Sequence, residues 1–168
     1  MRFEDIIKQI KNVSKAEIKR VAPTDCNETK EIIRTPNPID LYEKMVAGYL
    51  TSLCAESMYP ETFHLEQDGL DYVGLELEKG FIEVGIAANN LGSCMKGGKI
   101  MVKKAGSETG SSMAGGEIIA DEIKSIGNTI GGRITAKKVD SISRSQGAEI
   151  LINGIKFKRS ILDRLFGK

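Results

Sequence analysis

A glycine-containing turn followed by a short apolar segment recurs five times in the second half of the chain. Three copies carry a glycine pair, at 96–102 (KGGKIMV), 114–120 (AGGEIIA) and 130–136 (IGGRITA), and weaker copies occur at 79–84 and 146–152. The residues just before the apolar segments are at 80, 98, 116, 132 and 148, so the copies follow one another at steps of 18, 18, 16 and 16 residues. A regular period of this kind indicates one structural unit stacked on itself.

A step of 16 to 18 residues is too short for a helical hairpin or a propeller blade, and it fits one coil of a parallel β-helix. Alternate residues of a strand face the same side, so two positions of each copy are predicted to line the coil interior. The first of these positions is occupied by Ile82, Ile100, Ile118, Ile134 and Ile150, and the second by Val84, Val102, Ala120, Ala136 and Ile152. The sequence therefore predicts two buried ladders of stacked apolar side chains.

The residue that opens each apolar segment is predicted to face outward. These residues are Phe81, Lys99, Glu117, Arg133 and Glu149. The last four alternate in sign, and stacked strands lie about 4.8 Å apart, so each charge meets an opposite one on the next coil. Exposed pairs of this kind are worth well under about 1 kcal/mol each, and we expect them to fix the register more than to add stability.

The glycines of the repeat are predicted to form the corners of the coils, where positive φ or close backbone approach is needed. The corner positions are Gly74, Gly80, Gly92, Gly97, Gly98, Gly110, Gly115, Gly116, Gly127, Gly131, Gly132 and Gly147. A phosphate-binding loop is disfavoured because its glycine spacing is absent from 92–99 and no Ser or Thr follows Lys99. The left-handed β-helix of acyltransferases is excluded because steps of six residues from Val73 meet an aliphatic residue only at Val73 and Leu91.

The pattern Gly-x-x-x-Gly-x-x-Met-x-Gly-Gly-x-Ile, at 106–118, resembles the GXGXG domain family. The resemblance spans roughly 72–154; the fourth copy shortens the spacing between Gly127 and Gly132, and the last has Ser143 and Ala148 in place of glycines. It implies a right-handed parallel β-helix like the C-terminal domain of the glutamate synthase large subunit and the related subunit of formylmethanofuran dehydrogenase. In those enzymes the domain is a non-catalytic spacer, although some family members are named tributyrin esterase.

Composition narrows the possible partners and the compartment. A net charge of +1, no tryptophan and nine other aromatic residues disfavour nucleic-acid binding. No apolar run approaches the ~20 residues of a membrane span, and the start of the sequence does not resemble a signal peptide. Cys26, Cys54 and Cys94 form an odd, widely spaced set, from which we expect free thiols and a cytoplasmic location.

The segments that flank the repeat are predicted to cap its two ends. A helix is expected near 3–13, a strand near 18–21, and an irregular stretch between Pro23 and Pro38. Asn37, Pro38 and Asp40 are predicted as N-cap, first-turn and N3 residues of a strongly amphipathic helix. Its apolar stripe is Ile39, Tyr42, Met45, Val46, Tyr49, Leu50 and Leu53, and a second group at helical spacing near the end of the chain is Ile161, Leu162, Leu165 and Phe166.

The predicted fold is thus mainly β: a single-stranded right-handed parallel β-helix of about five short coils with helical caps. The predicted units are a helical N-terminal capping region at 1–68, a β-helix at 69–155 and a short C-terminal capping helix at 156–168. Covering the ends is expected because the terminal coils leave unpaired strand edges.

Candidates for catalysis are few. His64 is the only histidine, and the sequence has no Gly-x-Ser-x-Gly elbow around which a serine hydrolase could be built. No Cys or His pair stands at metal-ligand spacing. Cys94 shares its repeat position with Ser112 and Thr129, which favours a small corner residue over a reactive thiol. No catalytic, cofactor-binding or metal-binding residue is therefore assigned.

The sequence favours a non-catalytic structural or assembly subunit of a larger cytoplasmic enzyme of the glutamate synthase or formylmethanofuran dehydrogenase type. Its expected partners are other subunits of that complex or a second copy of the chain, with no nucleic acid, membrane or cofactor. Two alternatives remain open: a small stand-alone esterase, and a homo-oligomeric module that binds a small ligand between coils. Fold resemblance alone does not decide among them.

Overall fold

A computed structural model of the chain describes residues 1–34 and 37–158. Within these residues, four helices come first and seven strands follow. The helices are α1 (Phe3–Gln9), α2 (Lys15–Val21), α3 (Cys26–Arg34) and α4 (Leu41–Met58). The strands are β1 (Thr62–Leu65), β2 (Phe81–Ala87), β3 (Lys99–Ala105), β4 (Glu117–Ile126), β5 (Arg133–Ile142), β6 (Glu149–Ile152) and β7 (Ile155–Lys156).

The predicted parallel β-helix of about five coils is confirmed. Strands β1 to β6 pair in parallel, each with the next in chain order, and so stack as the rungs of a solenoid. β1 is an additional first rung, in a stretch that the sequence assigned to the helical region. β7 turns back through Asn153 and Gly154, both at positive φ, and pairs antiparallel with β6. This hairpin ends the parallel stack.

The predicted register is correct. Ile100 pairs with Ile118, and Ile118 pairs with Ile134, and all three are fully buried. The other members of the two ladders are also buried, except for the half-buried Ile152. Outside, two of the three expected contacts between opposite charges are ion pairs: Lys99 Nζ lies 3.5 Å from Glu117 Oε2, and Arg133 Nη2 lies 3.1 Å from Glu149 Oε2. Side-chain alternation therefore sets both the interior and the outer face of the sheet.

Glycine corners bring the coils into close contact. Gly92 has a φ of +65°, and a Cβ at this position would lie 2.6 Å from Cδ1 of Ile118 on a neighbouring coil. Gly97 lacks positive φ, but a Cβ there would collide with the carbonyl oxygen of Glu78. Gly92 thus allows a left-handed backbone beside an apolar side chain, and Gly97 allows the backbones of two coils to approach each other closely.

The N-terminal region is more helical than the sequence predicted. The expected strand near 18–21 is wrong, because these residues belong to α2, whose N-cap Ser14 accepts a hydrogen bond from the backbone N–H of Glu17. The irregular stretch between Pro23 and Pro38 contains α3. Both segments are short, and packing against α4 overrides their weak local signals.

The predicted cap of α4 is also wrong. The helix begins at Leu41, and Asp40 is its N-cap, with Oδ1 accepting a 2.8 Å hydrogen bond from the backbone N–H of Glu43. Glu43 Oε2 in turn accepts from the backbone N–H of Ile39 at 3.0 Å. These two hydrogen bonds pair the N–H groups of Glu43 and Ile39 at the start of the helix, and a helix that began at Asn37 would lack both of them.

α4 caps the first coil by supplying the acceptors that a preceding coil would provide. In the next coil, the backbone N–H of Gly92 donates to the carbonyl oxygen of Val73, and the N–H of Lys96 donates to that of Leu77. One coil earlier, the equivalent donors are the N–H groups of Gly74 and Glu78. They donate to Thr51 Oγ1 and Glu56 Oε1 of α4, each at 2.9 Å. The helix therefore pairs two donors of the terminal coil, one of which, the N–H of Gly74, is buried.

The expectation of three free thiols is wrong for two of the cysteines. Cys26 of α3 and Cys54 of α4 form a disulfide, with their Cα atoms 5.2 Å apart. Packing of α3 against α4 brings together residues that are 28 positions apart in sequence. Cys94 is the free cysteine. The predicted C-terminal helix, with its apolar group from Ile161 to Phe166, lies outside the described residues.

Candidate functional site

His64 lies on β1 and points away from the coil interior. Its side chain is 68% exposed, and Nδ1 lies 3.1 Å from Oε2 of Glu83, its partner in the β1–β2 register. A histidine in this position has a carboxylate that could orient it, as in a hydrolytic triad. The question is whether a nucleophile faces its other side.

Two open cavities include His64 in their walls. The larger, of about 440 Å³, runs along the outer face of the sheet. The smaller, of about 250 Å³, lies between α3 and β1. Described residues that line the larger one are His64, Leu65, Glu66, Glu83, Val84, Gly85, Met101, Val102, Lys103, Ile119 and Asp121; the smaller adds Lys30, Glu31, Arg34 and Phe63. Among these lining residues none is Ser, Thr or Cys, so the structure assembles no acyl-transfer nucleophile beside His64.

Cys94 occupies a coil corner. It has a φ of +54°, and Ser112, one coil later, has a φ of +56°, as expected for a shared repeat position. Burial raises the pKa of the Cys94 thiol, and the Glu76 carboxylate raises it further, although Lys96 opposes the effect. The thiolate is the reactive form of cysteine. The site therefore disfavours a nucleophilic role for this thiol at neutral pH.

A polar cluster joins α2 and α4 to the first coil. Lys15 Nζ donates to Glu56 Oε1 at 2.6 Å and to the carbonyl oxygen of Glu76 at 2.8 Å, and Tyr49 Oη donates to Glu76 Oε1 at 2.7 Å. Burial, followed by Glu76, raises the pKa of the Tyr49 phenol. The charge of Lys15, with that of Lys96, lowers the pKa of Glu78. Because these groups satisfy one another, the cluster is a polar clamp between helices and solenoid rather than a catalytic centre.

Metal binding and membrane insertion find no support in the described part of the chain. Within residues 1–34 and 37–158, no group of three or more His, Cys, Asp or Glu side chains is arranged to hold a metal ion. No helix in the same ranges is long and apolar enough to cross a membrane.

The start of α4 exposes three apolar side chains that are close in sequence. Ile39 is 84% exposed, Leu41 60% and Tyr42 37%. Further along the same helix, Val46 and Leu50 are fully buried under the first coil. Of the predicted stripe, Ile39 and Tyr42 are exposed, Met45 and Leu53 are partly buried, and Val46, Tyr49 and Leu50 are buried. Leu41, which the predicted stripe did not include, is also exposed. We call Ile39, Leu41 and Tyr42 the α4 patch. The sequence predicted the stripe but not which of its side chains are exposed, because helical spacing does not show how much of a helix is covered by the rest of the fold.

Comparison with known proteins does not place the chain in a family. No protein-family model matches it, and no curated protein or solved structure matches it significantly. The resemblance of 106–118 to the GXGXG domain accordingly stays a prediction.

Proposed function

We propose that this chain is a non-catalytic β-helix module that assembles with other polypeptides, as a structural component of a larger cytoplasmic enzyme. The observation that carries the proposal is the α4 patch, where three apolar side chains within four residues of one another are exposed to solvent at the capped end of the solenoid. Contiguous exposed apolar surface on a folded protein marks contact sites. The expected type of complex, that of glutamate synthase or formylmethanofuran dehydrogenase, rests on the sequence resemblance.

The rest of the molecule supports a structural role. The coil interior is filled by stacked aliphatic side chains, and the corner glycines serve coil contacts. α4 contributes side chains that close the first coil. Such a solenoid is a rigid spacer, which holds attached elements at a fixed distance.

The test removes the patch and follows assembly. The double variant Ile39→Ser, Leu41→Ser is compared with Ile130→Ser, since Ile130 is 58% exposed on a coil corner away from α4. Native material is passed over a size-exclusion column, and the co-eluting polypeptides are identified. We expect the wild type and Ile130→Ser to elute in one complex and the double variant to elute alone, with an unchanged circular dichroism spectrum. A wild type that elutes as a monomer without a partner, or a double variant that assembles normally, would contradict the proposal.

The esterase alternative makes a separate prediction. If His64 were a catalytic base, hydrolysis of short-chain esters would be measurable and would be lost in His64→Ala. We expect no turnover above background in either protein, because the described walls of both His64 cavities lack a hydroxyl or thiol nucleophile. Glu122→Gln, on an exposed position of β4, is the matched surface control. Robust turnover that His64→Ala abolishes and Glu122→Gln retains would favour the esterase.

A further inference from the structure

The Cys26–Cys54 disulfide forms part of the wall of an open cavity. The cavity, of about 190 Å³, lies among α2, α3 and α4. Described residues that line it are Lys19, Ala22, Pro23, Thr24, Cys26, Thr29, Leu53, Cys54 and Ser57. A disulfide enclosed in a packed core is inaccessible to other thiols, but this one borders a space large enough for a small molecule.

The two cysteine residues differ in exposure. Cys54 is only 2% exposed, whereas Cys26 is partly exposed. Exchange begins with attack of a thiolate along the line of the S–S bond, so access decides which sulfur is attacked. An entering thiolate therefore reaches Sγ of Cys26, and the sulfur of Cys54 is the leaving group.

The structure also accommodates the products of this attack. The new bond joins the entering sulfur to Cys26 Sγ, the old S–S bond breaks, and its electron pair leaves with Cys54, which takes up a proton from solvent. Sγ of Cys54 lies 3.5 Å from the carbonyl oxygen of Cys26, so the buried thiol has a hydrogen-bond acceptor. Attack of a second external thiolate on the mixed disulfide releases the symmetrical external disulfide and leaves Cys26 as a thiolate.

The cavity also indicates which thiols fit. Lys19 is the only charged side chain among the described residues that line it, and the remaining wall is apolar or hydroxylated. A thiol that carries a carboxylate places that group near the Lys19 ammonium, whereas an aminothiol meets a like charge. We propose that this cavity is a thiol-exchange site for small carboxylate-bearing thiols, with Cys26 as the residue that carries the mixed disulfide.

The first experiment locates the modified cysteine. The oxidised full chain is treated with 3-mercaptopropionate and quenched in acid, and its mixed disulfides are mapped by peptide mass spectrometry. We expect the adduct on Cys26. An adduct on Cys54 instead, or a disulfide that resists exchange as long as the chain stays folded, overturns the proposal.

The second experiment tests the ligand class. The rate of exchange with 3-mercaptopropionate is divided by the rate with 2-aminoethanethiol, in the wild type, in Lys19→Ala and in Lys124→Ala. Comparing this ratio among variants cancels the intrinsic reactivity of the two thiols. Lys124 is an exposed lysine on β4 and serves as the control. An exposed charge contact is worth about 0.2–1 kcal/mol, so Lys19→Ala should lower the ratio by up to about fivefold. Equal ratios in all three proteins contradict the assignment of a carboxylate-bearing thiol.

A third measurement uses Cys94 as an internal reference. In Cys54→Ser, Cys26 is a free thiol, and the symmetrical disulfide of 3-mercaptopropionate is offered to both remaining cysteines. We expect Lys19→Ala in this background to slow the modification of Cys26 and to leave that of Cys94 unchanged, because Lys19 lines the cavity beside Cys26 and Cys94 does not line it. Equal rates of modification at Cys26 with and without Lys19 would count against the site. If Cys54→Ser does not fold, the first two experiments, in which both cysteines are kept, still test the proposal.

Discussion

Replacing Ile118 by alanine should destabilise the solenoid much more than the same replacement at its neighbour Ile119. Ile118 is fully buried in the central ladder, between Ile100 and Ile134, whereas Ile119 lies on the outer face of the same strand and is only partly buried. Both changes remove three carbons from one strand, so the loss of β-propensity is similar. The difference between the two losses of stability therefore measures the contribution of burial.

The magnitude follows from the buried side chain. Removal of three buried carbons costs about 2.4 kcal/mol at about 0.8 kcal/mol each. The residual cavity adds about 24 cal/mol per Å³, which brings the total for Ile118→Ala to about 3–4 kcal/mol. For the half-exposed Ile119 we expect about 1 kcal/mol, mostly from propensity and partial burial. Glu117→Gln, which weakens one outer ion pair, should cost a few tenths of a kcal/mol.

The assay is equilibrium unfolding in urea, followed by far-ultraviolet circular dichroism. The slope of free energy against urea concentration must stay the same among the variants if the change lies in the folded state alone. Equal losses of stability for Ile118→Ala and Ile119→Ala would refute the register. So would a larger loss for Glu117→Gln than for Ile118→Ala.

Three further perturbations test other parts of the structure. Gly92→Ala should lower the melting temperature of the protein more than Gly69→Ala does. Both glycines have positive φ, so at either position the left-handed backbone alone costs an alanine about 1–2 kcal/mol. Of the two, it is at Gly92 that an added Cβ also meets a neighbouring side chain. Reduction of the Cys26–Cys54 disulfide, which spans 28 residues, should lower the free energy of unfolding by about 3.5 kcal/mol on the chain-entropy model; an unchanged urea midpoint under reductant would contradict this. Burial and the Glu76 carboxylate raise the pKa of the Tyr49 phenol. Above about pH 10 the unfolded chain therefore loses the phenol proton while the folded protein keeps it. The free energy of unfolding should accordingly fall as the pH rises above about 10. Tyr49→Phe should flatten that part of the pH profile, and a profile identical to that of the wild type would show that the phenol does not contribute.

The candidate sites show how much the sequence could predict. The sequence has no nucleophile elbow and a single histidine, His64, and the absence of esterase activity that we expect from this stays a prediction. The sequence did not indicate that Glu83 would face His64, because it placed no strand at 62–65. Lys19, Cys26 and Cys54 come from three helices, and nothing in their spacing suggests a shared cavity.

The sequence by itself determined the solenoid. The spacing of the copies aligns each strand with the next, and alternation along a strand then decides which residues are buried, as at Ile118, and which are outside, as at Glu117. Both rules depend only on position within the repeat, so they can be applied without knowing the rest of the fold. The ladders and their register were therefore predictable.

Only the tertiary structure decided how the solenoid is closed. Nothing in the sequence of α4 distinguishes Thr51 and Glu56 from its other polar residues. Their role follows from the first coil, where they accept hydrogen bonds from the N–H groups of Gly74 and Glu78. The same packing brings Cys26 to Cys54 and stabilises α2 and α3, which are too short to be predicted from local propensity. These features depend on which surfaces meet, because a terminal coil must pair its backbone with whatever covers it.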